Sequence, residues 1–106
     1  MPQISLLGQT FEVDENGFIQ EPERWTEELA KAIAREAEGI TEMTDNHWAI
    51  VRYIRNYYLQ YGQAPMIRKL CKDTGIKLKE VYTLFPSGPA RGACKIAGLP
   101  KPTGCV

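Results

Sequence analysis

A chain of 106 residues, 43% hydrophobic and 25% charged, has the size and composition of one small domain with a single core. No stretch approaches the roughly eighteen apolar residues of a membrane span, and three widely spaced cysteines do not make a disulfide scaffold, so both classes are excluded. Net charge is zero but divided: residues 1–45 hold 3 Lys/Arg against 11 Asp/Glu, and residues 46–106 hold 10 against 2. The basic C-terminal half can attract anions or an acidic partner, or the two halves can simply neutralise each other across the fold. The start, Met-Pro-Gln-Ile-Ser-Leu-Leu-Gly, lacks the basic region of a signal peptide. The expected compartment is therefore the reducing cytoplasm, where paired thiols tend to be catalytic or redox-active.

In chain order, residues 9–19 alternate Phe11 and Val13 with polar neighbours before Asp14-Glu15-Asn16-Gly17. This predicts a β-hairpin turning at Gly17, within a hairpin region over residues 1–20. A first helix is expected over residues 23–38, with Trp25, Leu29 and Ile33 on its core face and Gly39 as its stop. A second runs from Thr44, a good N-cap, to Gly62, and its aromatic content makes it the central core helix. Trp48, Val51, Ile54, Tyr57, Tyr58 and Tyr61 face inward on this reading, while Arg52, Arg55 and Asn56 face out. His47, the only histidine, falls in the first turn of that helix and reads as a packing or capping residue. A third helix starts at Pro65 and ends at Gly75, and a fourth spans residues 77–85, stopped by Pro86. A fifth begins near Pro89 and carries Arg91, Cys94, Lys95 and Ile96 to Gly98. The fold class is thus mainly α: a small single-domain helical bundle with an N-terminal hairpin, a helical core over residues 21–98 and a C-terminal arm over residues 99–106.

The arm carries the chemistry. Residues 94–106 read C-K-I-A-G-L-P-K-P-T-G-C-V, placing a cysteine next to the last residue. Pro100 and Pro102 stiffen the segment, and Gly98 and Gly104 bracket it as hinges. From Gly98 to Cys105 such an arm reaches roughly 23 Å, enough to carry a thiol into another protein's cleft. Cys94 and Cys105 are too far apart for a C-x-x-C motif and lack neighbours at metal-ligand spacing, so no metal site is expected. Reversible bonding between a helix-borne Cys94 and an arm-borne Cys105 does fit. Arg91, Lys95 and Lys101 surround the pair, where cations lower thiol pKa values and hold anionic sulfur. Cys71, beside Leu70 in mid-helix, reads as a small core residue.

The helix-turn-helix of residues 65–85 has Arg68, Lys69, Lys72, Lys77 and Lys79 nearby. It lacks the side chains that best read base edges, and zero net charge argues against a polyanion partner, so DNA is disfavoured. No catalytic constellation has positional support either. The chain reads as something acted upon.

The ending K-I-A-G-L-P-K-P-T-G-C-V, preceded by L-F-P-S-G-P-A-R-G-A-C, closely resembles the DsrC/TusE family of small sulfur-carrier proteins. H-W-A-I-V-R-Y-I-R-N-Y-Y from His47 and A-P-M-I-R-K-L from Ala64 extend the resemblance over nearly the whole chain. It implies a helical domain with an N-terminal hairpin, a helix-turn-helix-like core and a mobile C-terminal arm. It also implies that Cys105 is the sulfur-carrying thiol and Cys94 its resolving partner. Members of the TusE branch typically keep only the penultimate cysteine, so two cysteines resemble the DsrC branch. The implied partner is dissimilatory sulfite reductase, whose siroheme and iron-sulfur cluster do the reduction while this chain binds no cofactor. Sulfur leaves bridged between the cysteines as a trisulfide, and a membrane-bound reductase complex regenerates the thiols without insertion of this chain into the membrane. In sulfur oxidisers the family resembles a persulfide acceptor, fed by upstream sulfurtransferases, running in the opposite direction. The alternatives on the residues alone are a thiol-disulfide redox switch and a helix-turn-helix DNA-binding regulator.

Overall fold

The first structured element is a tight hairpin that lies upstream of the expected one. In the computed structural model, which describes residues 2–100, strands β1 (Gln3–Leu6) and β2 (Gln9–Glu12) pair antiparallel, with Ile4 opposite Phe11 and Leu6 opposite Gln9. The two-residue loop puts Leu7 at φ 54° and Gly8 at φ 72°, the left-handed pair that suits the twist of a hairpin. Leucine is a poor residue for that conformation, which is why the sequence signal pointed elsewhere. The expected turn at Asp14–Gly17 also exists, but closes only one further bridge, Val13 to Ile19. There Asp14 Oδ1 accepts from the main-chain N–H groups of Asn16 and Phe18, each at 2.9 Å.

A 3-10 turn at Pro22–Arg24 precedes helix α1 (Glu27–Glu38). Arg24 ties this turn to β2, donating to Thr10 O at 3.0 Å and lying over the Phe11 ring. Two start signals compete here, and both are used: Pro22 opens the 3-10 turn, and Thr26 caps α1 by accepting from Leu29 N at 3.1 Å. Trp25 therefore stands before the helix rather than on its core face, correcting the expected start at residue 23.

Helix α2 (Asp45–Tyr61) runs through the centre, with Ile50, Val51 and Ile54 fully buried. Its N-terminus is a capping box in which His47 fills the role usually taken by Glu. His47 Nδ1 accepts from Thr44 N at 3.0 Å, its Nε2 donates to Leu84 O at 3.0 Å, and its ring meets Phe85 edge-on. The histidine is structural, as expected. The C-terminal end of α2 rises out of the core, leaving Tyr61 exposed where an inward position was expected.

Helix α3 (Ile67–Thr74) and helix α4 (Leu78–Leu84) follow, joined through Gly75 in the left-handed conformation. Pro65 is buried two residues ahead of α3 rather than at its first position. The chain then passes Phe85, also buried, into a π-helical turn at Pro89–Ala93 and a last short helix, α5 (Cys94–Ile96). Phe18, Leu29, Ile54, Phe85, Ile96 and Leu99 meet in one core, so the C-terminal helix is packed at the centre of the molecule. No helix among the described residues is long and apolar enough to cross a membrane.

Candidate functional site

Cys94 opens α5, and the path into it is unusual. Its N–H reaches back five residues to Pro89 O, closing the π-helical turn. The turn is held from outside by Glu38 at the end of α1, whose carboxylate accepts from Ser87 N at 3.0 Å and Ser87 Oγ at 2.6 Å. Gly92 is required by this packing: a Cβ there would overlap Glu38 Oε1 and press Phe85 Cβ at 3.0 Å.

The Cys94 side chain is fully buried. Burial pushes its thiol up from 9.0 to about 12, with no opposing contribution from charge among the described residues. The thiol is therefore protonated and closed, the reverse of the cation-lowered thiol expected from the sequence. The reason lies in where the cations point. Arg91, one turn earlier, is exposed, and Lys95 Nζ lies over the Phe18 ring, 5.1 Å from its centre. Lys95 lines a groove of about 350 Å³ with Ile4, Leu6 and Ile33, on the hairpin side of the molecule. Lys101, Gly104 and Cys105, named with them from the sequence, lie outside the described residues.

Beyond Cys94 the helix ends in a double cap. Gly98 takes φ 72°, its N–H donates to Lys95 O at 3.0 Å, and Leu99 N donates to Cys94 O at 3.3 Å. That pattern leaves the carbonyls of Ile96 and Ala97 without helical partners. Two side chains from distant elements take them. Trp25 Nε1 donates to Ile96 O at 2.9 Å, and Arg55 Nη1 donates to Ala97 O at 2.9 Å. Arg55 Nη2 donates to Pro22 O at 2.8 Å, and the guanidinium lies over the Trp25 ring, 4.5 Å from its centre. The Trp25 ring covers Gly98 so closely that a Cβ there would overlap Cδ1 and stand 3.0 Å from Cγ.

Two expectations change as a result. Gly98, expected as an open hinge, is a helix cap covered by an indole, and Leu99 is 1% exposed, so the core continues past residue 98. Arg55 is half-buried against α5 and the 3-10 turn, where desolvation lowers its pKa, rather than standing clear on the outer face of α2. Its signal in the sequence was its position four residues after Val51, on the flank of the buried stripe. Nothing local marked Trp25 or Glu38. Cys71, by contrast, sits half-buried against the core, in line with its small-residue reading. The cations of α3 and α4 are exposed, and Lys69 pairs with Asp73 at 3.2 Å.

A family model described as DsrC like protein matches residues 5–106. The chain is 51% identical over 106 residues to a protein of Nitratidesulfovibrio vulgaris named sulfite reductase, dissimilatory-type subunit gamma, with 100% of both chains covered. It is 43% identical to sulfurtransferase TusE of Escherichia coli, over 93% of this chain and 95% of that one. The crystal structure of the oxidised gamma-subunit of the dissimilatory sulfite reductase (DsrC) from Archaeoglobus fulgidus matches with a TM-score of 0.85 and 46% identity, covering 99% of this chain and 100% of that one.

Proposed function

The chain belongs to the DsrC family, and from that premise we propose that it is a sulfur carrier and co-substrate of a dissimilatory sulfite reductase, with no turnover of its own. Sulfur is accepted on Cys105 and then bridged to Cys94 as a trisulfide. The observation that supports this most is the placement of Cys94: a closed, protonated thiol at the root of the segment that ends in a second cysteine. Such a thiol is protected until the second one has been loaded, which gives the two cysteines an order of action. Possession of both favours the reductase-linked branch over a single-cysteine relay.

The overall reaction balances on the carrier's own electrons. Sulfite, two thiols, two further electrons and four protons give the trisulfide and three waters. The thiols supply half of the electrons that take sulfur from the sulfite level to the central atom of the bridge, and the siroheme and iron-sulfur cluster of the partner supply the rest. A membrane-bound reductase complex then returns the thiols and releases sulfide; in the oxidative direction the same cysteine accepts persulfide from upstream sulfurtransferases. Because Leu99 is buried and Gly98 covered, the reach that the carrier role draws on is counted from Pro100 to Cys105, at most about 17 Å for a fully extended chain. Lys101 and Arg91 remain the cations for anionic sulfur once the segment is engaged. Cys94 thiolate, formed on exposure, attacks the sulfur that Cys105 holds after the two-electron reduction, while that sulfur still carries one oxygen; its sulfur–oxygen bond breaks and the oxygen leaves as water, a step that is fastest when the thiol pKa falls near ambient pH.

The test is intact-protein mass spectrometry after incubation of the reduced chain with dissimilatory sulfite reductase, sulfite and an electron donor. The expected product is heavier by one sulfur and lighter by two hydrogens, and is absent from Cys105→Ser and Cys94→Ser. Cys94→Ser should still take sulfur on Cys105 and accumulate it as persulfide or mixed disulfide. Equal loading of Cys105→Ser would sink the reading, and loss of two hydrogens without added sulfur would make the chain a plain disulfide switch.

A further inference from the structure

A thiol with no exposed surface cannot meet another thiol, so Cys94 has to be uncovered before it can act. The helix that carries it is held at its far end by side chains from other elements. Helix α5 has only three residues, and its end leaves the carbonyls of Ile96 and Ala97 to be satisfied from outside. In most helices water or a neighbouring cation on the same segment takes that role. Here it falls to Trp25 and Arg55, which are 71 and 42 residues away along the chain. The same two side chains touch each other, and Arg55 also binds Pro22 O, the carbonyl that accepts from Trp25 N at 3.2 Å. The 3-10 turn, α2 and α5 are thus joined at one small polar knot roofed by the indole. Along the chain the knot falls at Ile96 and Ala97, just after Cys94.

We propose that Trp25 and Arg55 are positioning residues that form a clasp over the last turn of α5, and that opening this clasp, without unfolding the domain, is what exposes Cys94. The purpose of the opening rests on the carrier reading above; the opening itself does not. Both contacts are made to main-chain carbonyls, so the clasp holds the path of the chain rather than any one side chain of α5. A partner that draws the C-terminal segment outward pulls Leu99 from the core and Gly98 from beneath Trp25, and so acts directly on the clasp. The unit that must move is small, which is the condition for local rather than global opening. Arg55 joins two carbonyls from different elements, so its loss unties Ala97 from both α2 and the 3-10 turn.

The test uses the full chain with Cys71→Ser and Cys105→Ser, leaving Cys94 as its one thiol. Alkylation of Cys94 by iodoacetamide is followed at a series of low urea concentrations, beside global unfolding followed by far-UV circular dichroism. With the clasp intact, the alkylation rate should depend on urea far less steeply than global unfolding does. Trp25→Phe, which keeps a ring but loses the N–H, and Arg55→Lys, which keeps the charge but not the fork, should each speed alkylation roughly fivefold to tenfold with the shallow urea dependence retained. A rate that follows global unfolding in every variant, or that neither substitution changes, would overturn the clasp. The assay contains neither reductase nor Cys105, so its failure and a failure of sulfur loading are separate results.

Discussion

Two turns of this chain are written alike and behave differently. Cys71-Lys72-Asp73-Thr74-Gly75 closes α3, and Cys94-Lys95-Ile96-Ala97-Gly98 closes α5. In both, the glycine is left-handed, at φ 74° and 72°, and the carbonyl of the cysteine accepts a cap hydrogen bond, from Gly75 N at 2.9 Å and from Leu99 N at 3.3 Å. At Gly75 a Cβ would meet nothing within 4 Å, and Cys71 is half-buried. At Gly98 a Cβ would enter the Trp25 ring, and Cys94 is sealed. Both caps turn on a left-handed glycine, although the glycine's own N–H makes the bond at Gly75 and the following residue makes it at Gly98. What differs beyond that is whether another part of the chain has closed over the cap.

The comparison can be broken most sharply at its glycines. Gly98→Ala adds left-handed strain and a collision with the indole, and should lower stability by about 3 kcal/mol, read as a drop in the thermal midpoint. An effect no larger than that of the same change at Gly75 would show that the indole does not lock this turn.

The cysteines sharpen it through pH. Because burial pushes the folded Cys94 thiol from 9.0 to about 12, the folded state keeps a proton that the unfolded chain releases. The associated stability is fully present below about pH 9 and is lost as pH rises from about 9 to about 12, at about 1.4 kcal/mol per unit. Burial and the Asp73 carboxylate push the Tyr53 phenol to about 12 as well, so it contributes in the same direction in every variant and cancels from the comparison. Urea midpoints measured below and above pH 9 should show this loss in the parent and in Cys71→Ala, and a clearly smaller one in Cys94→Ala.

The smallest effect belongs to the open turn. Gly75→Ala meets only the left-handed strain and should lower stability by about 1 kcal/mol, with no change in Cys94 alkylation. Faster alkylation of Cys94 in that variant would mean the two turns are coupled through the core.

Most of the helical frame was legible in the residues because each end carries its own signal. Thr44 and Gly62 bound α2 at the expected positions, and Gly39 and Gly75 stop α1 and α3, since caps are satisfied by groups within a few residues. The hairpin was misplaced because its turn uses Leu7, a residue that disfavours positive φ. Trp25 was assigned to a helix face because its spacing to Leu29 and Ile33 is helical, although Thr26 is the cap.

By itself, the sequence determined the mainly helical class, the N-cap of α2 and the glycine stops of α1, α2 and α3, all of which depend on short-range spacing. Only the tertiary structure decided that Cys94 is closed, that Arg55 reaches the end of α5, that Lys95 lies over Phe18, and that Gly98 is covered by an indole. Those facts rest on the carbonyls of Ile96 and Ala97 being met from 71 and 42 residues away. Burial and long-range hydrogen bonding are properties of the packed chain, and no local pattern encodes which distant side chain will arrive.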